Sequence, residues 1–186
     1  MPERLNRDEV VRRAGDLADR IGLGEVTVTR LGRELGIAPQ GVYRHIADVS
    51  DLRGALGRLA AGEVSLELSR ACSGLSGRDA LVAVCATLRA WAARHPGRYE
   101  ALQVAPDPGD PEASAAAGEL VSVIASALRA YALTGDDLVD AIRLVRSTVH
   151  GFVDLEGHGG FRLARDPDAT FERLVDSLHL VLGEWS

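Results

Sequence analysis

A chain of 186 residues can form one domain, or a small unit beside a larger one, and either holds enough residues to bury a core. Its 46% hydrophobic and 26% charged residues are those of an ordinary globular protein and exclude a disordered chain. The formal charge of -6 excludes a uniformly basic nucleic-acid binder, but the balance is uneven: residues 1–47 carry eight Arg against seven Asp or Glu, leaving thirteen against twenty for residues 48–186.

No apolar run reaches the roughly 18 residues needed to span a bilayer, and the opening MPERLNRDEVVRR lacks the apolar stretch of a signal peptide. A soluble cytoplasmic protein with no membrane partner is expected. Cys72 and Cys85 are thirteen apart, which fits neither a CxxC pair nor a disulfide framework, so both read as small buried hydrophobes. Every Lys-or-Arg position is Arg, a compositional bias to which no function attaches.

In chain order the first element is a helix. Asn6 followed by Glu9 forms a capping box, Val10, Ala14, Leu17, Ala18 and Ile21 follow the 3-4 apolar spacing, and Gly22 closes it. Thr27 caps a short second helix with Leu31 and Leu35 on one side. Gly36 supplies a positive φ at its end, Pro39 opens a third helix, and a break falls near Asp48.

In VTRLGRELGIAPQGVYRHI, the side chains of Leu31, Leu35, Ile37, Val42 and Ile46 fill the angle between two short helices, and Gly32 leaves room where the backbones cross. This is helix-turn-helix spacing, in which the second helix enters the DNA major groove. After Pro39, the residues Gln40 and Gly41 occupy the first turn of that helix, where Gln can pair with an adenine edge and Gly permits close approach. Tyr43, Arg44 and His45 fall nearer the groove wall. Thr27, Thr29 and Arg30 lie at the amino end of the supporting helix, where hydroxyls and free N–H groups suit phosphates.

Beyond the break the pattern stays helical. A long helix is predicted from Ser50 to about Cys72, another from Ser76 and Asp79 to Pro96, and a short one opened by Pro96 with Tyr99 and Leu102. The loop APDPGDP leads to the Asp110-Pro111 start of a helix ending near Ala132. A helix from Asp136 to about Glu156 and a last one from Pro167 to about Leu182 complete the chain, with no strand alternation or internal repeat. About nine helices are expected in an all-α protein.

The helix from Asp136 has two apolar sides: Leu138, Ile142, Val145, Val149, Phe152 and Val153 on one, Leu144, Thr148, Gly151 and Leu155 on the other. The last helix adds Leu178, Val181 and Leu182 to a similar pattern. Two apolar faces need two covering surfaces, so a two-fold dimer is expected through Leu144, Thr148, Gly151, Leu155, Leu178, Val181 and Leu182. A polar stripe crosses the same helix at Asp140, Arg143, Arg146, His150 and Asp154, with Glu156 and His158 beyond. Ion-paired structure and ligand recognition both fit it. A metal fits poorly beside two Arg, and no metal or cofactor is expected. Trp91, His95 and Tyr99 read either as core, as aromatics at helical spacing more often are, or with Arg146, His150 and Phe152 as the candidate lining of a ligand pocket in which Arg146 would anchor an anionic or polar planar molecule.

The segment LGRELGIAPQGVYRHIADVSDL, behind an amphipathic helix near the N-terminus, resembles the tetracycline-repressor-like (TetR) family of bacterial one-component regulators over roughly residues 7–55. The resemblance implies a three-helix DNA-binding domain, residues 1–49, followed by an all-α ligand-binding and dimerisation domain, residues 50–186. It also implies phosphate contacts from Tyr43 and His45, with Gln40 among the base-reading positions. RHPGRYEAL and VHGFVDLEGHGGF resemble the Trp-His-Gly type of C-terminal domain, although Arg146 and Ser147 stand where its Trp is expected. Ala38 replaces the usual Ser or Thr before the recognition helix and Val49 replaces the usual Lys after it. The first forfeits a cap worth about 1 kcal/mol and the second a bond to phosphate. The function implied is that of a homodimeric repressor, bound to a pseudo-palindromic double-stranded operator and released by a small-molecule effector. The alternatives are a helical interaction protein that has lost DNA binding and, last, a small helical enzyme, for which the chain shows no activated nucleophile or phosphate-cradling loop.

Overall fold

The computed structural model describes residues 5–185. The first four residues, which open the MPERLNRDEVVRR stretch, and Ser186 lie outside the described part. The described residues form nine α-helices and no strand: α1 Arg7–Ile21, α2 Val28–Leu35, α3 Pro39–Val42, α4 Val49–Ala71, α5 Gly77–Arg94, α6 Pro96–Leu102, α7 Pro111–Ala127, α8 Gly135–Gly157 and α9 Pro167–Glu184. Short 3-10 turns occupy Leu23–Glu25 and Arg129–Tyr131. None of these helices is long and apolar enough to cross a membrane.

Side-chain N-caps read from the sequence form at four helix starts, the Asn6–Glu9 box through its Asn6 half, with the Glu9 carboxylate on Arg12. The side chain of Asn6 accepts from Glu9 N–H at 2.8 Å, Thr27 from Arg30 N–H at 3.2 Å, Asp110 from Ala113 N–H at 2.9 Å and Asp166 from Asp168 N–H at 2.9 Å. Gly36 ends α2 in the left-handed region at φ 69°. Two predicted ends move. α7 stops at Ala127, because the amide of Leu128 is shared between the carbonyls of Ile124 and Ala125 and the chain tightens into the 3-10 turn. α3 stops at Val42, short of the predicted break near Asp48, because Arg44 and His45 N–H reach back three residues rather than four, to the Gly41 and Val42 carbonyls.

The chain forms two compact units, Met1–Glu63 with Arg94–Glu119 and Val64–Ala93 with Leu120–Ser186. The first therefore holds the helix-turn-helix together with the first part of α4, all of α6 and the start of α7. Its core joins Val10, Ala14, Leu17 and Ala18 of α1 to Leu31, Val42, Ile46, Leu52, Leu56 and Ala101. α6 lies on α1 so closely that a Cβ at Gly97 would be 2.2 Å from the backbone of Ala18.

The second unit buries Leu81, Val84, Cys85, Leu88 and Trp91 of α5, Val145, Val149 and Phe152 of α8, and Phe171, Val175, Leu178 and Leu182 of α9. Phe152 stacks against Phe161 and Phe171, with ring centroids 4.7 and 4.9 Å away, and the Arg89 guanidinium sits over Phe152 and Phe171. Both cysteines are free thiols. Burial, reinforced by Cys72, pushes the Cys85 thiol up to about 12, and burial raises Cys72 as well, so both stay protonated and serve as packing.

Candidate nucleic-acid interface

The helix-turn-helix is built from its turn outward. α2 ends with Gly36 N–H donating to the Arg33 carbonyl and Ile37 N–H to the Gly32 carbonyl, and an added Cβ at Gly32 would stand 2.9 Å from the Ile37 carbonyl oxygen. Only glycine permits this approach of α2 to the turn. Leu31, Val42 and Ile46 are buried beneath the pair, while Leu35 and Ile37 are half-buried at its margin. A Cβ at Gly41 would lie 3.3 Å from the Ile37 side chain, so the absence of one there serves the turn as well as the outer surface.

With the apolar positions turned inward, Pro39, Gln40, Tyr43 and Arg44 are exposed, Tyr43 by 54%, and His45 is half-buried. After Val42 the chain continues as hydrogen-bonded turn: Arg44 N–H reaches the Gly41 carbonyl, and His45 and Ile46 N–H both reach that of Val42. The recognition segment is thus one helical turn plus a tight continuation. Thr27 and Thr29 are exposed at the start of α2, the Thr27 oxygen already accepting from Arg30 N–H. Arg30 is held by the Glu25 carboxylate and carbonyl. An exposed pair of that kind is weak enough for a phosphate to displace.

Spacing alone did not reveal a second set of residues behind this surface. Arg7 binds the Asp51 carboxylate through both guanidinium arms, at 2.9 and 2.6 Å, and donates at 2.7 Å to the carbonyl of His45. That guanidinium, aided by Ala47 N–H, holds the Asp51 carboxyl at about 2 against the opposing effect of burial. Asp48 caps α4 by accepting from Asp51 N–H at 2.8 Å. The available signal was the Asn6-Arg7 start of α1 facing a carboxylate in the first turn of α4, but only the folded chain pairs them.

The other expected residues are placed as follows. Trp91 and Phe152 are core residues of the second unit, where Arg146 and His150 are half-buried on α8. His95 and Tyr99 belong to the first unit, where the His95 Nδ1 lies 3.2 Å from Asp19. Two cavities are lined by none of these six. One of about 740 Å³ in the first unit is bordered by Gly54, Gly57, Arg58, Leu102, Val104 and Asp107; another of about 360 Å³ in the second is bordered by Ser126, Arg129, Leu133 and Leu138. Along the polar stripe, Asp140 faces Arg143 at 3.5 Å, Asp154 faces His158 at 3.4 Å, and Glu156 is bound by Arg89, which also takes Asp168 at 2.7 Å.

Of the expected dimer residues, Gly151, Leu155 and Val181 are exposed and Leu144 and Thr148 half-buried. Leu178 and Leu182 need correction. They are 5% and 0% exposed within the chain itself, because the α9 stripe that begins at Phe171 and Val175 faces the unit's own core. Exposed Leu180 and Val181 carry the outward face instead.

Residues 81–178 match the family described as tetracyclin repressor-like, C-terminal domain. The uncharacterized HTH-type transcriptional regulator Rv0681 of Mycobacterium tuberculosis is 32% identical over 183 residues, covering 98% of this chain and 83% of that protein. Among solved structures, BioQ with its natural double-stranded DNA operator is 26% identical, with a TM-score of 0.66 over 95% of this chain and 99% of that one. A TetR variant from Acinetobacter baumannii in complex with minocycline superposes with a TM-score of 0.74 at 20% identity, covering 98% of each chain. The chain belongs to the TetR family of transcriptional regulators. It is a DNA-binding transcriptional regulator.

Proposed function

We propose that this regulator is a homodimeric repressor that binds a pseudo-palindromic operator and leaves it when a small-molecule effector binds. The observation that carries the DNA side is the exposed segment Pro39, Gln40, Tyr43 and Arg44 on a frame whose apolar residues are all turned inward. Gln40 and Gly41 read base edges, while Tyr43, Arg44, His45, Thr27, Thr29 and Arg30 hold phosphates. Two such segments in a two-fold dimer would occupy successive major grooves about 34–36 Å apart.

Titration of the DNA adjoining its own gene, at several salt concentrations, tests this reading. Affinity is expected to fall steeply with salt. Tyr43→Ala and His45→Ala should weaken all duplexes alike, whereas Gln40→Ala should relax preference at one or two base pairs. Binding that ignores salt would instead support the interaction-protein alternative.

The dimer rests on apolar surface that the chain leaves uncovered: Leu155 on α8 and Leu180, Val181 and Trp185 toward the end of α9 are all exposed, and Gly151 has open space where a Cβ would stand. Gly151→Arg together with Leu155→Glu is expected to yield a monomer in sedimentation and to lower operator affinity at least about tenfold, since each half-site alone holds weakly. An unchanged dimer would move the interface off α8.

For the effector, Arg146 is the group we assign to an anionic or polar planar ligand, with His150 one turn further along α8. Arg146 is half-buried and has no carboxylate partner among the described residues. The minocycline complex of a TetR relative supports a small-molecule effector as a class. Effector and operator would then oppose one another reciprocally.

A further inference from the structure

We infer that Arg7 and Asp51 are positioning residues for DNA recognition, fixing the backbone that carries Tyr43, Arg44 and His45. The inference rests on this segment being the one that meets DNA.

The segment cannot hold its own shape well. α3 has four helical residues, Ala38 caps nothing, and the hydrogen bonds of residues 44 and 45 are of the tighter i to i+3 kind. Something beyond its end must define where it stops. Arg7 and Asp51 supply this through a closed ring of bonds. One Arg7 arm donates to the His45 carbonyl at 2.7 Å and to the Asp51 carboxylate at 2.9 Å, and the other arm takes the second carboxylate oxygen at 2.6 Å. Asp51 in turn accepts from Ala47 N–H at 2.8 Å. The chain is therefore gripped at a carbonyl on one side of Ile46 and at an amide on the other, while the Ile46 side chain is buried in the core. Asp48 accepts from the Asp51 N–H at 2.8 Å and so fixes the backbone of the turn that bears Asp51.

A half-buried ion pair still open to water contributes little by its charge alone. What distinguishes this one is that both partners also bind the backbone of residues 45–47, and that the bidentate fork fixes direction as well as distance. Removing either partner frees that backbone to move, and with it Tyr43 and His45.

The test uses the full chain and the duplex adjoining its own gene, with affinity measured against salt and stability by urea unfolding. Arg7→Met and Asp51→Asn are each expected to bind about tenfold more weakly, the worth of one or two charge-assisted bonds, and to share the same salt slope. The swap Arg7→Asp with Asp51→Arg separates charge from geometry. It restores attraction between α1 and α4, but Asp cannot donate to the His45 carbonyl and Arg cannot accept from Ala47 N–H. Unfolding should recover toward the original midpoint while DNA affinity stays low. Should Arg7→Met fail to fold, Arg7→Lys keeps the charge without the fork and should still bind about threefold more weakly.

Affinity restored by the swap, wild-type affinity in either single variant, or a salt slope about one unit shallower in Arg7→Met but not in Asp51→Asn would overturn the inference. The last result would put Arg7 on a phosphate. If the unmodified protein binds no duplex, the fault lies with the DNA-binding reading beneath, which this comparison among variants keeps distinct.

Discussion

Arg98→Met is expected to destabilise the protein by about 2–3 kcal/mol, although the substitution nearly preserves volume, because it removes the buried cation shared by half-buried Asp19 and Glu63 and by exposed Asp16. Arg98 stands on α6 and is 6% exposed. It reaches Asp16 at 2.6 Å, bonds Asp19 through its side chain and, at 2.9 Å, through its own amide, and comes within 3.5 Å of Glu63. Gly15 makes the space, since a Cβ there would lie 2.7 Å from the guanidinium. Burial raises the carboxyl of Glu63 above its ordinary value, and the attraction of Arg98 is the largest effect opposing that rise. The sign of the pH dependence follows. A carboxyl whose folded pKa exceeds its unfolded one costs stability while ionised, and the cost is relieved as pH falls through the folded value. Without Arg98 the Glu63 carboxyl rises further, so the gap between the two proteins should narrow from pH 7.5 to pH 5. Urea midpoints at both values measure it, and a gap that stays constant would mean that uncompensated Glu63 is not the cause.

That cluster also marks where sequence reasoning stops. The caps at Asn6, Thr27, Asp110 and Asp166 were legible because each joins groups two or three residues apart, within reach of local pattern rules. The helix-turn-helix was legible for the same reason: Gly32, Gly36 and Ile37 are neighbours in the chain as well as in space. Arg98 meets Asp16 across 82 positions and Arg7 meets Asp51 across 44, and in a chain with 21 Arg nothing local selects the pair. The candidate ligand residues show a subtler limit. Trp91 and His95 share a side at helical spacing, but α5 ends at Arg94 and Pro96 opens α6, so His95 turns to Asp19 in the first unit while Trp91 packs in the second. On α9 the sequence displays two apolar faces, and only the position of α8 and its Phe152 decides that Phe171, Val175, Leu178 and Leu182 form the inner one.

Gly97→Ala is expected to be the most damaging single-methyl change in the first unit, at about 3 kcal/mol or more. Its added Cβ would stand 2.2 Å from the carbonyl carbon of Ala18, 2.3 Å from the oxygen and 2.6 Å from the Ala18 Cβ. Those atoms belong to the α1 backbone near its end, which cannot rotate out of the way as a side chain would, so α6 must move by about 1 Å or more to regain van der Waals distance. α6 has only seven residues, and the next one along is Arg98, so the shift also lengthens the bonds that hold the carboxylate cluster. Two other glycines provide the comparison. At Gly54 on α4 a Cβ meets nothing within 4 Å, so Gly54→Ala should stabilise by about 0.5–1 kcal/mol through helix propensity. At Gly57 the nearest atom is the Ala101 carbonyl oxygen at 3.2 Å, close enough to offset that gain. Urea midpoints should therefore rank Gly54→Ala highest, Gly57→Ala near the unmodified protein and Gly97→Ala far below. A Gly97→Ala protein that unfolds at the original midpoint would show that α6 does not rest on α1 in solution, and the seat of Arg98 would have to be drawn again.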